Sequence, residues 1–324
     1  MSQRLLNILN NFKNKKILVV GDIMLDKYIW GEVSRISPEA PVQVVNVKKE
    51  TYAPGGASNV ASNVSALNGK AFMVGLVGND EAKVVLLKEL AKKEINTDGI
   101  FTDEDKPTTQ KVRIVGRGQQ LLRVDYEDRE HIHKETENYL TKFLEKTIKD
   151  ADTVVISDYA KGVITEKLIN SLVGAAKKFG KVVIVDPKPS HMGLYSNVTL
   201  ITPNNAEASE MADMEEGSDD AVKKIGLKLL KALNTNVLMT RGEKGMSLFE
   251  KNGSITHIPA KAKEVYSIIG AGDTVVATIA LATACGASLK EAATLANIAA
   301  GIKVGKIGTA SVSIDEIKKG IENL

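Results

Sequence analysis

Cysteine is almost missing from this chain: Cys285 is the only one in 324 residues. An internal disulfide is therefore excluded, and a reducing, cytoplasmic setting is expected. Histidine is scarce as well, and its 4 copies, His131, His133, His191 and His257, are scattered. His131 and His133 fall in the charged run EDREHIHKE, where solvation is expected, so no zinc or two-metal site is expected. No apolar run reaches the ~18 residues of a membrane span, and the opening MSQRLLNILNNFKNKK is too polar for a signal peptide. Charge of one sign is lacking too. The 43 basic and 40 acidic residues are mixed along the chain and leave +3, with no basic stripe for nucleic acid. No G-x-x-x-x-G-K-[ST] occurs, which excludes a P-loop, and GLVGND at Gly75–Asp80 has too few glycines for a dinucleotide fingerprint.

What is present is 43% hydrophobic residues, enough for one large α/β core with a small appendage. Short apolar runs KKILVV, TVVIS, KVVIVD, VTLIT and NVLMT alternate with helix-like segments such as 166–178, 219–233 and 287–304. That pattern predicts a mostly parallel sheet covered by helices on both faces. Polar residues follow each run: Gly21-Asp22, Asp158-Tyr159, Asp186-Pro187-Lys188, Pro203 to Glu207, and Thr240-Arg241-Gly242. Ligands of open α/β sheets bind beyond the carboxyl ends of strands, so these ends are expected to form one shared edge. Any single one of them could be a turn or a helix cap, Asn204 above all.

Two other regions, about 24–50 and 108–125, alternate apolar and polar residues instead. Such alternation predicts strands with one face wet, hence a small β-sheet lid of about four strands. Between them, Gly55-Gly56 open a helix of small residues in which Asn59 and Asn63 share a face. Close packing and contact with the hydroxyls of a sugar are both open readings there.

The stretch VYSIIGAGDTVVA, 265–277, organises the rest. Glycines before a long apolar helix allow close backbone approach, and the first-turn N–H groups suit anionic oxygens. Asp273 at that boundary either caps the helix or takes a proton from a hydroxyl beside a phosphate.

Taken together, GGASNVASN, PNNAE, TRGEKG and GAGDT, in this order and spacing, resemble the ribokinase-like (PfkB) carbohydrate kinases over the whole chain. The resemblance implies a single ribokinase-like domain over 1–324 that uses ATP and magnesium. It implies Asp273 as catalytic base and Gly270, Ala271 and Gly272 as the anion hole. Asn204, Asn205, Ala206 and Glu207 fall on the motif that positions magnesium, with Glu207 as its carboxylate. Asp186 and Lys188 lie near the phosphates, and Thr240, Arg241, Gly242 and Asn297 fall at nucleotide positions. Asp22, Asp26, Gly55, Gly56 and Asn59 fall on the sugar side. Those motifs are shared by ribokinases, fructose-phosphate kinases and ketodeoxygluconate kinases, and a non-catalytic sugar-binding relative would share some of them.

Further segments, SRISPEAPV, GRGQQLLRVDYE, SDYAKGV and GKIGTASVS, are similar to the kinase part of the enzymes that make ADP-heptose for lipopolysaccharide. Those enzymes phosphorylate C1 of D-glycero-β-D-manno-heptose 7-phosphate, and Lys161 and Arg117 are the candidates for holding the distal phosphate. No H-x-G-H nucleotidyltransferase motif is present, so the kinase activity alone is expected, from a single-function enzyme or from the kinase portion of a longer one. Pairing of two lids in a homodimer is expected, with no nucleic-acid or membrane partner. One departure stands out. Where many members read D-x-T-G-A-G-D, this chain has Ser267 and Ile269, so weak activation by potassium, or none, is expected.

Overall fold

The computed structural model describes residues 1–261, 265–306 and 310–323. Part of the segment GKIGTASVS, at 307–309, therefore lies outside the described residues.

Strands and helices are numbered in chain order. The continuous Val/Ile/Leu runs form a 9-stranded sheet of order β13-β12-β11-β10-β9-β8-β1-β4-β5. Its parallel members are β1 (Lys16–Gly21), β4 (Lys70–Gly78), β5 (Asn96–Asp103), β8 (Thr153–Ser157), β9 (Val182–Asp186), β10 (Leu200–Ile201) and β11 (Asn236–Thr240). Antiparallel β12 (Met246–Phe249) and β13 (Ile255–Ile258) finish one edge. The side-chain period of two divides each strand between two cores. Ile17 and Val19 join one apolar cluster, whereas Leu18 and Val20 join the other. Over the first face pack α1 (Ser2–Asn10), α2 (Ala57–Ala66), α3 (Glu81–Ala91), α8 (Ala271–Ala284), α9 (Leu289–Val304) and α10 (Ile314–Glu322). Over the second pack α4 (Lys134–Thr147), α5 (Glu166–Lys178), α6 (Asn205–Ala212) and α7 (Asp219–Leu233). Each fully buried Leu, Ile or Val contributes about 1.5–3 kcal/mol of transfer free energy.

Local signals set several helix starts. Asn204 accepts the N–H of Glu207 while Glu207 accepts the N–H of Asn204, a reciprocal cap repeated by Ser288 with Glu291 and by Ser313 with Glu316. Removing such a cap costs about 1 kcal/mol. Helix α8 differs: it is apolar all round and buried from Asp273 to Ala282, and its first residue follows Gly270 at φ 73°. A left-handed backbone there suits glycine, because it costs no Cβ clash.

The alternating regions form a second sheet of 4 strands, order β3-β2-β6-β7, from β2 (Ile23–Ile36), β3 (Gln43–Gly56), β6 (Thr109–Gly116) and β7 (Gln119–Tyr126). Its members pair antiparallel except β2 with β6. Strand β3 runs without a break into α2. At that junction Gly56 has φ 55°, and a Cβ on it would stand 2.6 Å from the carbonyl oxygen of Asp22. A Cβ on Gly55 would stand 2.7 Å from Asp26 Oδ2, so that glycine lets a carboxylate lie against bare backbone. Among the described residues, no helix is long and apolar enough to cross a membrane.

Candidate active site

The carboxyl ends of the central strands, the root of the small sheet and the start of α8 meet at one place. Asp273, in the first turn of α8, accepts Asn59 Nδ2 at 2.5 Å and the Tyr159 hydroxyl at 3.1 Å. Burial pushes its pKa up, and the two hydrogen bonds oppose that shift. Its neighbour Thr274 ties the turn to α2 by donating to Asn63 Oδ1 at 3.0 Å. The N–H of Ala271 is engaged by the carbonyl of Ile268 at 3.2 Å. Among the described residues, the N–H groups of Gly272 and Asp273 meet no backbone acceptor, which leaves them for an anionic oxygen. Of the run Gly270–Gly272 expected from sequence, only Ala271 is thus engaged, and the N–H of Gly270 also meets no backbone acceptor among the described residues.

Two polar cavities share this turn. The first, about 110 Å³, is lined by Asp26, Gly56, Asn59, Lys111, Arg113, Tyr159, Ile269, Gly270, Asp273 and Lys303. Arg113 binds Asp26 at 2.5 Å and stacks its guanidinium over Tyr28, 5.2 Å from the ring centroid. Lys111 stands beside Asp26 in strand register and lies 5.2 Å from the centroid of the Tyr159 ring. Desolvation lowers its pKa. Neither Lys111 nor Arg113 was a sequence candidate. Their signal is the spacing i, i+2 in the alternating run TTQKVRIV, which places both on the face of β6 that carries Asp26's neighbourhood.

The second cavity, about 170 Å³, is lined by Asp158, Tyr159, Asp186, Pro187, Lys188, Thr202, Asn204, Glu207, Thr240, Gly270, Gly272 and Asp273. Here the expected strand-end residues do come together. Lys188 Nζ lies 3.2 Å from Glu207 Oε1 and 5.8 Å from the centroid of Tyr159. Burial, with the charges of Asp273 and Glu207 next, drives the pKa of Asp186 well above the ordinary carboxylate range, against the pull of Lys188. Asp158, in the wall of the cavity, meets His191 Nδ1 and the Tyr195 hydroxyl, both at 2.7 Å. Asn205 and Ala206 lie in the first turn of α6, and the side-chain oxygen of Asn205 is buried with no partner among the described residues.

Other sequence candidates have different tasks. Asp22 does not face the cavity of Asp26: both its oxygens hold the 159–163 segment, accepting the N–H groups of Tyr159 (2.7 Å), Lys161 (3.2 Å) and Val163 (3.3 Å). Burial, then repulsion by Asp158, pushes its pKa up to about 6. Arg117 sits in the β6–β7 turn at the far end of the small sheet and donates twice to the carbonyl of Val33. Within this chain it reaches neither cavity. Lys161 is paired with Glu127 at 2.5 Å, next to Asp22 rather than Asp273. The guanidinium of Arg241 is buried against Asp219 and Ser247, so only its backbone borders the strand end. Gly242, at φ 57°, has open space above it. Asn297 donates to the carbonyl of Pro259 at 2.7 Å. His133 lies 3.5 Å from Asp105, both exposed, and with the buried Asp103 their ligand atoms fall within 4.8 Å of one another, a grouping the sequence reading of solvated histidines did not foresee.

Comparison with known proteins follows the same lines. The profile of the pfkB family carbohydrate kinases matches residues 14–316. The bifunctional protein HldE of Caulobacter vibrioides is 45% identical over 98% of this chain and 65% of its own length. That of Desulfatibacillum aliphaticivorans is 42% identical over 96% of this chain and 64% of its own length. The chain thus spans less than two thirds of these relatives. Among solved structures, Escherichia coli phosphofructokinase-2 in complex with potassium superposes with a TM-score of 0.79 at 22% identity, covering 96% of this chain and 99% of its own. Arabidopsis thaliana ribokinase complexed with ribose and ATP gives 0.75, also at 22% identity and the same coverage. At that identity the likeness is one of fold.

Proposed function

Because this chain belongs to the pfkB family of carbohydrate kinases, we propose that it transfers the γ-phosphoryl group of ATP to the C1 hydroxyl of D-glycero-β-D-manno-heptose 7-phosphate, a step toward ADP-heptose. The observation that carries the reading is the buried Asp273 carboxylate, held by Asn59 and Tyr159 beside the free N–H groups of its own helix turn. The sugar occupies the cavity of Asp26, Lys111 and Arg113, and the nucleotide phosphates occupy the cavity of Asp186, Lys188 and Glu207. Asp273 takes the proton as the sugar oxygen attacks phosphorus, and ADP leaves toward Lys188. A pKa raised by burial makes Asp273 a stronger base than an exposed carboxylate. The N–H groups of Gly272 and Asp273 point where charge develops on the transferred group, the kind of fixed dipole that contributes most in phosphoryl transfer.

The donor set fits a hard divalent cation. Asp186 and Glu207 place carboxylates in one polar cavity, and Asp186 resists ionisation without added positive charge. Glu207, with Asp186 beside it, would hold magnesium, which neutralises phosphate charge when bound. The distal phosphate is assigned to Lys111, with Arg113 orienting Asp26, in place of Arg117 and Lys161. A second copy of the chain is the proposed partner. Ile36, Val42, Val47, Leu121 and Leu122 of the small sheet and its turn are exposed, and a dimer would cover them; Leu122→Glu should then sediment as a monomer.

The deciding experiment measures ATP consumption with a panel of sugar phosphates. Turnover with heptose 7-phosphate well above that with ribose or fructose 6-phosphate is expected. Preference for another sugar would overturn the substrate assignment while leaving the kinase.

A further inference from the structure

A buried ammonium stands beside the proposed reacting turn, and the mechanism above does not use it. Lys303, near the end of α9, is 2% exposed and lines the same cavity as Asp273. Its Nζ donates to the carbonyl of Ala310 at 3.0 Å. A Cβ built on Gly270 would stand 3.6 Å from Lys303 Cε and 3.7 Å from Asp273 Oδ2, so the two side chains flank one glycine. The next residue, Val304, accepts the N–H groups of Tyr266 (2.7 Å) and Ser267 (3.1 Å). The segment that enters the turn therefore hangs on the helix end that carries Lys303. Burying an ammonium costs free energy unless oxygens and negative charge surround it. Desolvation does lower the pKa of Lys303, and the charge of Asp273 opposes that shift.

A bare monovalent cation at this place would need an anionic or carbonyl cage. Among the described residues, none completes one. Position 267 is a serine, and its hydroxyl already accepts the N–H of Ile269 at 3.3 Å. The carbonyl of Ala310 is already taken by Lys303.

We propose that Lys303 is the resident cation of the Gly270–Asp273 turn, a positioning residue whose tethered charge fixes the turn and replaces a bound monovalent ion. This role presumes phosphoryl transfer at that turn, and one arm of its test does not depend on turnover.

Initial rates with ATP and heptose 7-phosphate are measured in potassium chloride and in tetramethylammonium chloride at equal ionic strength. Melting temperatures are taken in the same salts without substrate. The unmodified chain should show rates within about twofold and no change in melting temperature. Lys303→Ala should lose about tenfold or more in kcat in tetramethylammonium. Potassium or methylammonium should restore several-fold of that loss and should raise its melting temperature. Lys303→Met, which keeps the apolar stem, should stay slow in every salt because its side chain fills the place of an added ion. A many-fold rise of the unmodified rate with potassium would overturn the proposal. So would a folded Lys303→Ala whose rate and melting temperature ignore all cations, or a Lys303→Met as fast as the unmodified chain. Should heptose 7-phosphate prove not to be the acceptor, rates fail in every salt, while the melting arm still decides the place of the cation.

Discussion

Asn59 Nδ2 and Asp273 Oδ2 lie 2.5 Å apart although 214 residues separate them in the chain. The contact joins α2, which continues directly from the small sheet, to the helix that carries the proposed base. Burial raises the pKa of Asp273, and this contact, with the Tyr159 hydroxyl, opposes that rise by favouring the ionised carboxylate. Asp273→Asn should therefore lower kcat by about 10² to 10⁴ while nucleotide binding, followed by calorimetry, stays nearly intact. Asparagine caps helices as well as aspartate, so a variant with near-normal turnover would mean that Asp273 only caps α8.

The same geometry fixes a sign for pH. The base must be ionised, so the rate should rise with pH through the raised pKa of Asp273. Tyr159→Phe removes a hydrogen bond that favours the ionised form but keeps the ring beneath Lys111. Its acid limb should move to higher pH in a kcat/KM profile. A limb that stays put would detach Tyr159 from the base.

Glu207→Gln preserves the reciprocal cap with Asn204, because glutamine serves that motif as well as glutamate. Its thermal stability should change little. The magnesium concentration for half-maximal rate should nevertheless rise several-fold, since a charged oxygen ligand is lost. An unchanged magnesium titration would leave Glu207 a cap alone.

Lys111→Met should separate the two substrates. Loss of one charge-assisted contact, about 1.5–3 kcal/mol, corresponds to about tenfold or more in KM for the sugar phosphate, with KM for ATP nearly constant. Arg117→Ala and Lys161→Ala should disturb binding less, because those side chains are engaged by Val33 and Glu127. Equal losses for sugar and nucleotide would place Lys111 on the wrong ligand.

Asp22 offers a test of the fold itself. Its pKa rises from 3.8 to about 6 in the folded chain, so the folded state binds the proton more tightly than the unfolded one. Stability then falls as pH rises between those values, by about 3 kcal/mol for a shift of this size. Asp22→Asn does not titrate. The stability gap between the two proteins, from denaturant melts, should narrow as pH rises from about 4 to about 7. A gap that stays constant would mean that Asp22 ionises normally.

Much of this was legible in the chain, unevenly. The strands β1, β8, β9 and β11 announce themselves as short Val/Ile/Leu runs, and the small sheet as alternation. The strand β5, NTDGIFTD, does not, because an edge strand buries little and carries few apolar residues. The run VTLIT reads as a full strand but pairs only at Leu200–Ile201. Within the site, glycine and carboxylate motifs marked the turn of α8 and the strand ends. Asp22 and Arg241 mark the limit, since a buried side chain that holds backbone, as Asp22 does, or other side chains, as Arg241 does, looks the same in sequence as one that faces a ligand. Lys111 was missed for the converse reason: one lysine in an alternating strand reads as a solvated face until the partner strand shows what lies opposite it.

The arm formed by β2 and β3 has mechanical consequences. Each strand is 14 residues long, hence at most about 46 Å at 3.3 Å per residue, and the pair bends at two irregularities, Lys48 being the extra residue on β3 opposite Trp30/Gly31 and Ser34 the extra one on β2 between Val33 and Arg35. Asp26 sits close to the pivot at Gly55–Gly56, about 10 Å along the arm. A swing of about 5° about that pivot would carry the tip roughly 4 Å while displacing Asp26 by less than about 1 Å. Such a swing would carry the tip across the entrance and still keep the inner charges aligned with α8, as the short end of a lever keeps its place while the long end travels.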